Sequence, residues 1–222
     1  MCNNIDISSN EKEFTKKICD LIKNQSNKNI LKKGSFTFVL SGGRTPKIIF
    51  DNLAINYKDS IDWEKIHFFW LDERCVEPSN NESNFKLAND HLISKLNKVG
   101  SINRMKGEIE PNLAAKDYND QIMKFFGNNE VKFDFVLLGM GEDGHVASLF
   151  PNSNELKNEK ELVLLTDKIH QGYRRITLGF NFINSISFKL LLIKGNEKLS
   201  VYNNENNLPI NKIDNTKIFY ID

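Results

Sequence analysis

The chain has little cysteine, no surplus of either charge and no long apolar run, and each shortage excludes something. Cys2, Cys19 and Cys75 are odd in number and scattered. That rules out a disulfide framework and the paired spacing of a zinc site, so free thiols and no metal are expected. Cys75 follows Arg74, a neighbour able to lower a thiol pKa, but a bystander cysteine beside a loop charge is the commoner case and it is given no role. Basic side chains number 30 and acidic ones 29, leaving no global field to gather nucleic acid or an anionic membrane. Any anion has to be caught locally. No stretch approaches the length that spans a bilayer, and the polar start lacks the apolar segment of a secretory leader. The expectation is a cytoplasmic protein acting on a small molecule, with neither nucleic-acid nor membrane partner, as a monomer or weak dimer.

What is present is enough apolar residue, 40% of 222 positions, for one sizeable core, and one domain over 1–222 is expected. Asparagine and lysine are abundant, and 24–33 and 203–207 read as surface loops. Apolar, β-branched and aromatic runs recur at 36–40, 66–71, 133–138, 162–165, 176–178 and 190–193, each read as a buried strand, with a last strand at the carboxyl end around 220–222. Helical patterns fall at 5–23, 46–57, 85–96, 113–126 and 197–202, with Pro46 suited to a first helical turn. Strands alternating with helices predict an α/β fold: an open, mostly parallel, Rossmann-like sheet with helices on both faces and right-handed crossovers. Ligands of such sheets bind beyond the carboxyl ends of the strands.

Three segments at those ends are unusual. Ser41-Gly42-Gly43-Arg44-Thr45-Pro46 can turn tightly and present amide hydrogens at a helix start, with Arg44 and two hydroxyls as further donors; it is a phosphate cradle without the lysine of nucleotide triphosphatases. A glycine pair before a helix is, taken alone, more often a simple tight turn. Asp72-Glu73-Arg74 sets three charges directly after the apolar run Phe68-Phe69-Trp70-Leu71. An isolated triplet of this kind is a solvated loop with an ion pair; at a strand mouth, Arg74 can hold a phosphate and a carboxylate can orient an imidazole. The third segment, from Gly139-Met140-Gly141-Glu142-Asp143-Gly144-His145 to Pro151, contains a literal G-x-G-x-x-G. Pro151 and the asparagines after it interrupt too early for a dinucleotide site, and Glu142 and Asp143 would repel a pyrophosphate. Glycines around one Asp and one His suggest instead a backbone bent to aim His145 at a ligand, with Asp143 near enough to steer it. His67 in a strand, His91 in a helix and His170 in a polar loop read as structural or solvated.

These segments, in this order, resemble the 6-phosphogluconolactonases, within the superfamily that also holds the glucosamine-6-phosphate deaminases. Ser83-Asn84, Arg175-Ile176-Thr177-Leu178 and Gly195-Asn196-Glu197-Lys198 extend the resemblance over most of the chain. It implies cofactor-free hydrolysis of 6-phospho-glucono-δ-lactone. His145 would be the general base, oriented by Asp143 or Asp72. The phosphate would lie on Ser41, Gly42, Gly43, Arg44 and Thr45 with Arg74, Arg175 and Lys198. Arg174 competes with Arg175, and only the Arg-Ile-Thr-Leu match favours the second. The nearest rival is a deaminase-like isomerase, but those relatives carry Asp-Glu-Tyr and Asn-Glu-Pro where this chain has Asp72-Glu73-Arg74 and the residues after His145. A non-catalytic sugar-phosphate sensor is a third reading, weakened by the presence of His145, Asp143 and Arg74 together and by the lack of a DNA-recognition segment.

Overall fold

A computed structural model describes residues 5–204 and 207–222; Cys2 and two residues of the 203–207 stretch lie outside them. In chain order the elements are β1 (Ile5–Ile7), α1 (Glu11–Lys33), β2 (Phe36–Leu40), α2 (Arg44–Asn56), β3 (Ile66–Trp70), β4 (Asp72–Arg74), α3 (Asn84–His91), β5 (Ser101–Asn103), α4 (Pro111–Phe126), β6 (Phe135–Gly139), β7 (Val163–Leu165), β8 (Arg175–Leu178), α5 (Phe180–Ser185), β9 (Phe188–Lys194), α6 (Asn196–Asn204) and β10 (Thr216–Ile221). Seven strands form one sheet in the order β1-β10-β9-β6-β2-β3-β5, every neighbouring pair parallel. The doubly wound α/β architecture expected from the alternation is therefore the one observed.

The central strands are apolar on both sides because both faces are covered, so β2 is buried at every residue and reads as a continuous run. Phe36, Phe38 and Phe135 interlock across β2 and β6, Phe38 and Phe135 edge-to-face at 5.3 Å. Helices α1, α2 and α3 pack side by side. The connections carrying α4 and α6 run the opposite way along the sheet, and right-handed crossovers put them on the other face.

Two polar devices fix the register. At the amino end of the central pair, buried Asp134 accepts from the Thr37 amide (2.8 Å) and hydroxyl (2.9 Å) and pairs with Lys33 at 2.8 Å. At the carboxyl end of β3, the Tyr118 hydroxyl of α4 accepts from the Trp70 amide at 2.9 Å and donates to its carbonyl at 2.8 Å. With both backbone groups of Trp70 taken, the chain leaves the parallel sheet there.

Four readings change. The 5–23 helix is a strand, β1, followed by α1 from Glu11 to Lys33, which also absorbs the 24–33 segment read as a loop. Asn10 starts α1 by accepting from the Glu13 amide at 2.9 Å, and Gly34 ends it in the left-handed region at φ 84°, where a side chain is disfavoured. The polar composition of 24–33 hid one buried stripe, with Ser26 continuing the face of Ile18 and Ile22. Asp72-Glu73-Arg74 is not a loop but β4, paired antiparallel with β8. The runs at 162–165 and 176–178 are strands, yet they belong with β4 to a second, antiparallel three-stranded sheet in the order β4-β8-β7. A short strand carries no mark in its sequence of which sheet it will join.

Candidate active site

The chain builds β2, β3 and β5 outward in one direction, then β6, β9 and β10 in the other. Neighbouring β2 and β6 are the point of reversal, where the segments leaving their carboxyl ends diverge and open a crevice. Two of the three unusual segments leave from this point.

After β2, residues 41–43 lead into α2, whose first turn has no side-chain cap, so its amides stay open to a ligand. The Ser41 hydroxyl is buried without a hydrogen-bond partner. After β6, the backbone closes a tight turn through Gly141 N–H to His145 O (3.0 Å) and Gly144 N–H to Gly141 O (3.1 Å). Asp143 accepts from the His145 amide at 3.2 Å and meets ring Nδ1 at 2.5 Å. That hydrogen bond is the largest influence on Asp143 and lowers its carboxyl pKa to about 2. An ionised carboxylate only accepts, so Nδ1 carries the hydrogen and Nε2 is left as the free, basic nitrogen.

Gly141 makes the turn possible by close approach, since a Cβ there would collide with the His145 ring and crowd the Asp143 carboxylate. Gly141→Ala is expected to lower turnover about a hundredfold by displacing the imidazole, with far-UV circular dichroism unchanged. Wild-type rates in that variant would show that ring placement is not tied to this contact.

The third segment supplies a wall from the second sheet. Strand alternation sends residues 72 and 74 to one side and residue 73 to the other. Asp72 and Arg74 line the crevice. Glu73 is turned away and buried, accepting from the Ser83 hydroxyl (2.9 Å) and the amides of Asn84 and Phe85 (2.8 Å each) at the start of α3. Burial raises its pKa, and these hydrogen bonds oppose the rise. Asn84, held in this way, reaches back to Asp72 Oδ1 at 3.1 Å, while Ser148 donates to Oδ2 at 2.6 Å. Of the two carboxylates left open for the imidazole, Asp143 is therefore the one on the ring, and Asp72 is engaged by Ser148 and Asn84.

Arg74 and Arg175 sit directly opposite each other in the β4–β8 ladder. Like charges in register are unfavourable unless something anionic lies between them. Arg175 is 3% exposed and has no carboxylate within ion-pair distance among the described residues. Its guanidinium donates to Gln171 Oε1 at 2.8 Å and to the His170 carbonyl, and its Nε, like that of Arg74, has no partner. Burial lowers the Arg175 pKa; the charge of Asp72 opposes the shift and that of Arg74 adds to it. Arg174 donates to the Thr166 carbonyl at 3.1 Å and does not line the crevice, whereas Arg175 does. Lys198, in the first turn of α6, donates to the Met140 carbonyl at 2.7 Å, and its pKa is lowered chiefly by burial.

Ser41, Gly42, Gly43, Arg44, Thr45, Asp72, Arg74, His145, Arg175 and Lys198 all line one cavity of about 170 Å³, while Asp143 lies behind the His145 ring. The lining carries five cationic side chains and the carboxylate of Asp72; two of the five, Lys194 and Arg74, also pair with Glu11 and Glu82 outside it. Sequence reasoning quoted Asn84 within the resemblance but gave no role in the site to it, Ser148 or Phe150. It also set His170 aside, whose ring stacks flat on Phe150 at 3.6 Å. Nothing in an isolated chain marks partners that meet only through the second sheet. His67 and His91 are structural as expected, bonded to Ser101 and Asp51 at 2.9 Å. Burial raises the Cys75 thiol to about 11, so its neighbour Arg74 leaves it unactivated. No cluster of three or more metal-ligating side chains occurs among the described residues, and no helix among them is long and apolar enough to cross a membrane.

Fold and crevice together define a doubly wound α/β protein with a cation-lined pocket and an imidazole–carboxylate pair at the switch point. Residues 9–218 match the family model of glucosamine-6-phosphate isomerases/6-phosphogluconolactonase, and the chain belongs to that family. It is 37% identical over 184 residues to 6-phosphogluconolactonase 3, chloroplastic, of Arabidopsis thaliana, covering 78% of this chain and 57% of that protein. It is 34% identical over 162 residues to 6-phosphogluconolactonase of Treponema pallidum, covering 72% and 67%. The chain thus spans little more than half the length of the chloroplastic plant relatives it matches. The crystal structure of 6-phosphogluconolactonase from Thermotoga maritima superposes with a TM-score of 0.85 at 29% identity, over 98% of this chain and 99% of that one.

Proposed function

We infer that this chain hydrolyses 6-phospho-D-glucono-1,5-lactone to 6-phosphogluconate, the second step of the oxidative pentose phosphate pathway, without a cofactor. The observation that carries the reading is the His145–Asp143 pair opening on a cavity in which the buried cation Arg175 has no carboxylate of its own. A lactone is an ester, so its hydrolysis needs water made nucleophilic, an oxyanion stabilised and a leaving alkoxide protonated. The free Nε2 of His145 takes a proton from water as its oxygen bonds to the lactone carbonyl carbon. Negative charge collects on the former carbonyl oxygen, facing the loop amides and Arg74, where one well-placed donor is commonly worth about 3 kcal/mol. Collapse breaks the bond to the ring oxygen, which receives the proton from His145. Asp143 holds the tautomer and offsets the transient imidazolium. Asp72, held by Ser148 and Asn84, lines the same crevice as a carboxylate facing its cations.

The phosphate supplies the handle. The open amides of residues 43–45, the Ser41 and Thr45 hydroxyls, and Arg74, Arg175 and Lys198 receive it, so remote binding energy places the carbonyl. Relatives named 6-phosphogluconolactonase support the same substrate. The test is a coupled assay on freshly generated lactone, corrected for the unaided opening of δ-lactones. Turnover well above background is expected; background rates, or ammonia released from glucosamine 6-phosphate, would overturn the assignment.

A further inference from the structure

His145 is a partition between two spaces. On one side lies the cationic cavity; on the other is a second cavity of about 480 Å³ lined by Glu142, Asp143, Phe150, His170 and Gln171, with His145, Gly141 and Lys198 common to both. Small-molecule sites usually measure about 300–1,000 Å³. The first cavity, at about 170 Å³, falls short alone, and joined to the second it comes within that range.

The far wall of the second cavity is the tip of the β7–β8 hairpin. His170 and Tyr173 close it with mutual backbone hydrogen bonds of 2.9 and 3.2 Å around Gln171 (φ 53°) and Gly172 (φ 86°). A glutamine held at positive φ is uncommon and carries a conformational cost, which the fold retains here at the rim of the site. Two contacts fix the tip. Gln171 Oε1 accepts from Arg175, and the His170 ring lies on Phe150, whose other neighbours are His145 at 4.5 Å and the Arg175 guanidinium at 5.6 Å. Neither ring nitrogen of His170 has a hydrogen-bond partner among the described residues, nor does the Gln171 side-chain amide nitrogen. Burial and the nearby charge of Arg175 both lower the His170 pKa, favouring the neutral ring. A neutral imidazole offers one donor and one acceptor, the pair that complements a hydroxyl.

We propose that this second cavity receives the hydroxyl-bearing carbons of the substrate, and that His170 and Gln171 read those hydroxyls. The phosphate fills the cationic cavity, the carbonyl lies at His145 between the two spaces, and the polyol portion extends under the hairpin. This deepens the lactonase reading and rests on it. It makes His170 a specificity-determining residue, and explains why a histidine in a polar hairpin is held flat against an aromatic ring beside the proposed base.

His170→Phe keeps the ring stack and removes both polar atoms. The test is calorimetric titration of wild type and variant with three probes: 6-phosphogluconate, 6-phosphohexanoate, which has the same two charged ends and no hydroxyls, and inorganic phosphate. The variant is expected to lose about fivefold to tenfold in affinity for 6-phosphogluconate, as for loss of one or two neutral hydrogen bonds, and nothing for the other two. Unchanged phosphate affinity also reports a folded site. Equal loss on 6-phosphogluconate and 6-phosphohexanoate, or no loss on either, overturns the proposal. Failure of lactone turnover by the wild-type protein is measured separately and rejects the lactonase reading instead.

Discussion

His145→Ala is expected to lower lactone turnover by about a hundredfold to ten-thousandfold, the usual contribution of a positioned general base, while 6-phosphogluconate still binds with near wild-type affinity. The separation follows from the geometry. The imidazole is held through Nδ1 by Asp143, and the ring borders the cavity without belonging to the cationic cluster. Deleting it removes proton transfer and leaves the arginines, the lysine and the α2 amides in place. Initial rates corrected for spontaneous ring opening, paired with a product titration, check both halves. Turnover within tenfold of wild type would remove His145 from the role of base; a collapse of product affinity would mean that the ring holds the anion.

Arg175→Met should produce an opposite pairing of effects. Burial has lowered the pKa of this guanidinium, so the folded state disfavours its charged form relative to the unfolded chain, yet an arginine cannot shed its proton near neutral pH. It stays charged beneath the surface, opposite Arg74, with no carboxylate at ion-pair distance among the described residues and only more distant ones, Asp72 first, to offset it. Folding bears that cost and ligand binding recovers it. Methionine keeps much of the stem's packing and removes the charge, so the variant is expected to unfold at the same temperature or higher, since apolar replacements of poorly compensated buried charges are often neutral or stabilising. Affinity for 6-phosphogluconate should fall about tenfold to a hundredfold, the scale of one lost charge-assisted hydrogen bond. Calorimetric unfolding and titration give the two numbers. A large drop in melting temperature with unchanged affinity would make Arg175 a structural residue.

How much of this was legible in the chain depended on range. The parallel core could be read because strands buried on both faces write themselves as unbroken apolar runs, and 36–40 and 190–193 needed no partner to be recognised. The turns holding His145 and residues 41–46 were legible because glycines and a proline mark turns locally. The 24–33 segment misled because buried positions spaced along one helix face are diluted by lysine and asparagine on the others. Residues 72–74 misled differently. They read as a loop at a strand mouth, whereas they form a strand in which Glu73 is among the most buried polar groups, because the start of α3, ten residues on, supplies its hydrogen bonds. The choice between Asp72 and Asp143 turned on Ser148 and Asn84, one of them 76 positions from Asp72, and that separation leaves no periodic trace.

The stretch from Ile66 to Arg74 belongs first to one sheet and then, past the Tyr118 clamp on Trp70, to the other, with Leu71 bonded on one side to Leu40 and on the other to Leu178. A single continuous beam thus carries both the floor of the pocket and one of its sides, with no seam between them along which they could part. Recognition in such a frame is a matter of fit to a standing shape, and a ligand spends little of its binding energy on assembling its own receptor.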